Sequence, residues 1–231
     1  MDRDPNSLIV KTLADKSLVK LDIYNNTFEA FKLMKKVARY LAGNFRKQIK
    51  SIDERITIEF KDQGPFQFGF KIAGDMLVFS MHTNVFEFDR KHPVWNTPAV
   101  KQDEKASFCG LIHIYNFLAD SFKYNRSEDL GYLIGRMFIN KDNYFFVEGK
   151  RQLGVLFNKF GKETIDTKNI RDILQASILF SLDFDLLVPP YDKVAVASVE
   201  QLNRKNTNNQ VKTAKRLGFK FYEDDENLSY L

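Results

Sequence analysis

The sequence predicts an α+β protein, in which an antiparallel or mixed β-sheet, made of an N-terminal meander and a central hairpin, is flanked by several amphipathic helices. Three observations carry this. Apolar residues alternate in four short runs between 55 and 88, as half-buried strands require. Residues 130–148 hold two runs of aromatic and branched side chains around a polar turn. Helix-period stripes recur at 28–49, 108–122 and 167–182.

Taken in order, residues 7–24 read ambiguously, with strands at 8–10 and 18–23 and a break at Asn25 and Asn26. From Phe28 on, Phe31, Met34, Val37, Ala38, Leu41, Phe45 and Ile49 form one helical face, and Asn26 with Glu29 three positions later resembles a capping box. Residues 55–61, 66–72, 76–81 and 85–88 are the four strands of an antiparallel meander, with turns at Gly64-Pro65 and Gly74-Asp75. The segment 89–102 is the longest irregular stretch. It contains Pro93, Pro98, His92 and the only Trp, Trp95, and long loops of this kind serve as lids or binding loops.

Residues 103–122 read as a helix capped by Asp103, with Phe108, Leu111, Ile112, Tyr115, Leu118, Ala119 and Phe122 on one face. Residues 130–140 and 144–148 follow as a hairpin, turning at Lys141-Asp142-Asn143. The strands are so continuously apolar that central positions are expected. A short strand at 153–157, a helix at 167–182 capped by Thr167, a buried strand at 194–199, a helix at 208–217 and a closing strand at 219–222 complete the chain. With no repeat or linker composition, residues 1–231 are expected to form a single α+β domain, with a possible internal boundary only in the 89–105 loop.

The 231 residues, 44% hydrophobic with 22 Phe, suffice for a sizeable core. No secretory pattern is read at the N-terminus and no apolar run reaches transmembrane length, so a membrane is not an expected partner. One cysteine, Cys109, excludes an internal disulfide and agrees with a cytoplasmic location. The net charge of +5 is modest, but its distribution is segregated. Lys32, Lys35, Lys36, Arg39, Arg46, Lys47 and Lys50 fall in one acid-free stretch, and Lys212, Lys215 and Arg216 lie in another. Such faces bind phosphates, although solvated helix surfaces are commonly charged as well. A non-catalytic binding or regulatory module, with nucleic acid as partner and no cofactor, is the leading functional expectation. A small-molecule sensor holding its ligand under the His92/Trp95 loop is a further one.

The apolar strand 144–147 ends in Glu148-Gly149-Lys150. A carboxylate to hold Mg²⁺ and a lysine to orient the attacking water are what metal-dependent nucleases use, and residues i and i+2 of a strand share a face. The order helix, hairpin ending in Glu-x-Lys, helix, strand, helix over 103–217 resembles the PD-(D/E)xK nucleases. That resemblance implies Glu148 as metal ligand, with Asp142 the nearest second carboxylate, and Lys150 as catalytic base. It departs from the family's pattern because residues 135–139 supply no aspartate. On the expected helix, Cys109, His113, Asn116 and Asp120 would line up as a polar edge. Phosphate-loop, dinucleotide-binding, zinc-protease and serine-hydrolase motifs are all absent from the sequence.

Overall fold

The hydrophobic alternation of residues 58–81 folds as three hydrogen-bonded strands, β1 (Ile58–Asp62), β2 (Gln67–Ile72) and β3 (Asp75–Met81), as the sequence predicts. The computed structural model describes residues 4–127, 129–150, 153–154, 160–184, 196 and 198–200. It confirms the α+β class through a seven-stranded antiparallel sheet with helices. The fourth run forms only β4 (Phe86–Glu87), which pairs with β5 (Phe108–Leu118) and not with β3. The cause is competition for an edge: β5 occupies β3 from Asp75↔Leu118 to Met81↔Ile112, leaving β4 the first two residues of β5, Phe108 and Cys109, beyond it.

β5 is the main correction. Residues 108–118 are a strand, and α-helix is confined to α3 (Ala119–Lys123) at its end, the short α2 (Pro98–Gln102) lying in the segment before. Asp103 does cap, but it caps the short 3-10 turn Glu104–Ser107 by accepting the Lys105 N–H at 2.9 Å. β5 is followed by β6 (Tyr132–Asn140) and β7 (Phe145–Gly149), the expected hairpin, with Asn143 at positive φ in its turn. The order is β1-β2-β3-β5-β6-β7. β6 is therefore central, whereas β7 ends the order, its outer side met by the Tyr144–Thr164 bridge and the Ile165 N–H on the Asn143 carbonyl.

Residues 5–50 form one 46-residue helix, α1 (Pro5–Lys50), in place of the expected strands, break and later helix. Asp4 caps it, accepting the Asn6 and Ser7 N–H groups, and Pro5 opens it. Asn26 does not stop it, because its amide is engaged by the Asn140 and Lys141 carbonyls of the hairpin turn at 3.3 and 2.7 Å. The Thr27 hydroxyl donates back to the Ile23 carbonyl.

The even-numbered residues of β5 and their neighbours form the core. Phe31, Met34 and Ala38 of α1 pack on Phe68, Phe70, Leu77, Phe79, Ile112, Ile114, Met137 and Val147, and Ile170, Ile173, Leu174 and Ile178 of α4 (Thr167–Leu182) close the layer. The α4 cap is Asp166, one residue before the expected Thr167. α1 reaches the sheet closely at Gly110, where a side chain would run into Thr27.

Of the remaining expectations, Leu153 and Gly154 are helical where a strand was expected, and residues 155–157 lie outside the described residues. Val196 and Val199 are 89% and 74% exposed, unlike residues of the buried strand expected at 194–199, of which 194, 195 and 197 lie outside the described residues. The elements expected at 208–217 and 219–222 lie outside the described residues. Among the described residues, no helix is long and apolar enough to cross a membrane.

Candidate functional site on the second face of the sheet

Because β5 is a strand, its odd-numbered residues point away from α1, and their surroundings divide this second face into three zones. At one end, the 89–107 segment folds over the sheet. Val94, Val100 and Ala106 pack on Cys109, Leu111, Phe138 and Phe146, with Phe160 beside them. At the other end Met76, Val78 and Ala119 cluster with Tyr115, Phe117 and Phe122.

Between these two clusters runs a polar row. Strand register places Gln67 opposite Ser80, Ser80 opposite His113, His113 opposite Arg136, and Arg136 opposite Glu148. Directly paired residues share a face. At about 4.8 Å per strand the row spans roughly 19 Å. His82, two residues beyond Ser80, joins the same face, and His92 enters from the loop, so all three histidines of the chain gather here.

The protonation states follow from the hydrogen bonds. His92 Nδ1 accepts the Val94 N–H at 3.2 Å, so its proton sits on Nε2, which donates to Glu148 Oε1 at 3.1 Å. Its ring stacks on Phe88 at 4.4 Å. Arg136 holds the other Glu148 oxygen, and its guanidinium lies 5.4 Å from the Phe138 ring centroid. His82 Nδ1 accepts the Asn84 N–H at 3.0 Å, and its ring meets Phe86 edge-on. His113 differs. Burial, and then the charges of Arg136 and His82, hold its pKa below the usual histidine value, and among the described residues neither ring nitrogen has a hydrogen-bond partner. It is a neutral, half-buried imidazole beside a guanidinium. On the same strand His113, Tyr115 and Phe117 form a ring stripe, with centroids 5.6 and 6.2 Å apart.

The structure separates the residues singled out from the sequence. Glu148 belongs to the polar row, but Lys150 lies past the end of β7, its N–H on the Ile134 carbonyl at 3.1 Å. Asp142 sits in the hairpin turn, ion-paired to Lys141 at 3.0 Å. At least three strand residues, about 10 Å, lie between that turn and Glu148. The two carboxylates do not share a site. The leading helix on which the nuclease resemblance rests is β5, and among the described residues no cluster of three His, Cys, Asp or Glu is placed to hold a metal. Cys109 shares the face of His113, but burial raises its thiol pKa, which suppresses nucleophilicity.

Trp95 closes the loop onto the sheet. Its indole N–H donates to the Asp89 carbonyl at 2.9 Å, and Arg90 lies 3.8 Å over its ring. Side chains fill the space beneath it, so the sensor expectation finds apolar packing there.

The basic stretch of α1 is largely spoken for. Lys32 pairs with Glu29 at 2.7 Å, Lys35 and Arg39 with Asp62 at 2.8 and 3.4 Å, and Arg46 donates to the Ile58 carbonyl at 2.9 Å. Arg46 and Lys50 also line an open cleft shared with Glu54 and Glu59. Lys36, Lys47 and Lys50 are exposed and form no ion pair among the described residues. Lys212, Lys215 and Arg216 lie outside the described residues. The polar row went unseen in the sequence because its members come from separate strands. Comparison with protein-family models, curated proteins and solved structures finds no match to this chain.

Proposed function

We propose that this protein is a non-catalytic binding module that takes single-stranded nucleic acid on the second face of its sheet. The observation that carries the reading is the ring stripe of His113, Tyr115 and Phe117 on β5, lying beside the exposed guanidinium of Arg136. Single strands bind where bases stack on aromatic side chains and cations follow the backbone, and each stacked base contributes about 1–3 kcal/mol. Lys71, on the same face of β2 and without an ion pair among the described residues, adds a second cation.

The polar row supplies what a base edge needs. Glu148 accepts, Arg136 donates, and the neutral His113 does both. With Glu148 balancing Arg136, the row is close to neutral, which suits a base edge better than a bare phosphate. The basic surface of α1 faces the other way, and three of its seven cations, Lys32, Lys35 and Arg39, are held in ion pairs with Glu29 and Asp62. The test is equilibrium binding of labelled single- and double-stranded RNA and DNA at two salt concentrations. Single strands should bind more tightly than duplexes, with a slope of about −2 in log affinity against log salt if two to three cations are engaged. Equal binding of duplex, or no binding at low salt, would refute the reading.

A further inference from the structure

We infer that residues 5–22, the first part of α1, are an arm by which two copies of this chain associate through antiparallel helix pairing. This surface is separate from the sheet face and independent of the function proposed above. Asp4 to Asp22 are exposed except for the partly covered Val19, whereas from Ile23 onward the helix is held by the core. Among the described residues one ion pair, Asp15 with Lys105 at 4.0 Å, ties the arm to the rest.

The arm is apolar where solvent should meet polar groups. Leu8, Ile9, Val10, Leu13, Leu18 and Leu21 are between 51% and 66% exposed. Val10, Leu13, Ala14, Ser17, Leu18 and Leu21 follow the three-and-four spacing of a helix-packing face. This stripe runs straight into Tyr24 and Phe28, which stack on each other, Phe28 also meeting Phe66. The face that closes the fold thus continues from Leu21 back to Val10, about 17 Å, and stays exposed among the described residues.

A second copy is the occupant that fits. The four large apolar side chains of the stripe, Val10, Leu13, Leu18 and Leu21, amount to about 400 Å² per arm, so a pair buries about 800 Å² of apolar surface, the range of a weak, concentration-dependent association. A two-fold axis sets one stripe against the same stripe of the other copy. Lys11 and Asp22, three turns apart, flank the stripe on the same side, so an antiparallel pair places each Lys11 beside Asp22 of the second copy. A parallel pair would bring Lys11 toward the flank that carries Lys20.

Sedimentation equilibrium of the full chain tests this. The expected mass is twice 27.0 kDa at concentrations of tens of micromolar, and Leu13→Glu with Leu18→Glu should raise the dissociation constant by at least ~100-fold. Both positions are exposed, so the thermal transition of the variant should stay that of a folded protein; this control separates lost association from lost folding. Lys11→Asp alone should weaken the pair, and Lys11→Asp with Asp22→Lys should restore it. Three results would overturn the inference: a monomer throughout, as when another segment of the chain covers the stripe; an unchanged dimer in the Leu13/Leu18 variant; or no rescue by the charge exchange.

Discussion

The two faces of the sheet are built from the same strands, yet they obey different rules. On the α1 face the central rungs are apolar and buried, with Phe68 and Phe79 stacked at 4.6 Å and both fully excluded from solvent. On the opposite face the central rung is Gln67, Ser80, His113, Arg136 and Glu148, with rings half exposed on one side. The larger part of the core therefore lies on the first face, and the proposed recognition uses the second. The contrast teaches that the alternation of a strand can separate folding from binding within one element, since Ile112 and His113 are adjacent in sequence and serve opposite faces.

The largest expected effect breaks the first face. Phe79→Ala should cost about 3–5 kcal/mol in chemical denaturation, because it leaves a cavity against Phe68 in a close-packed layer. Gly110→Ala should cost about 1–3 kcal/mol, since the new methyl group meets Thr27 where α1 touches β5. On the second face the order reverses. Tyr115→Ala should weaken single-strand binding at least ~10-fold, the loss of one stacked base, and should disturb stability less than Phe79→Ala does. A Tyr115→Ala protein that binds normally would remove the stripe from the account.

The contrast explains what the sequence could reveal. The first three strands of the meander and the 132–149 hairpin are legible because their turns are local and their alternation or β-rich composition is plain, whereas the fourth run pairs with β5 instead. Residues 108–118 were misread because the 3.6-residue spacing of Phe108, Leu111, Ile112, Tyr115 and Leu118 is also compatible with a strand buried on both faces. The available signals were Gly110 and the scarcity of strong helix formers among Ile112, Ile114, Tyr115 and Phe117. Asn25 and Asn26 looked like a break because the contacts that hold Asn26 in the helix come from 114 and 115 residues away. Glu148 was singled out for its place beside Lys150, whereas its partners are His92 and Arg136, one from a loop and one from the facing strand. Register decides both, and register is not written in any single segment.

The smallest expected effect is on pH dependence. The His113 pKa lies below its ordinary value in the folded state, so on acidification the unfolded chain takes up the proton first. Stability is fully present above about pH 6.5 and declines as pH falls through that value toward the folded pKa. His113→Gln should remove this component, as read from thermal unfolding at several pH values. The change should be slight, because the ring is half exposed.

The measurement that tests the face assignment most directly is the affinity of one labelled single-stranded RNA for two variants, Arg136→Ala with Tyr115→Ala on the second face and Lys36→Ala, Lys47→Ala with Lys50→Ala on α1. The account predicts at least ~100-fold weaker binding for the first and a change within about threefold for the second. Strong loss in the α1 variant, with binding intact in the sheet variant, would contradict it.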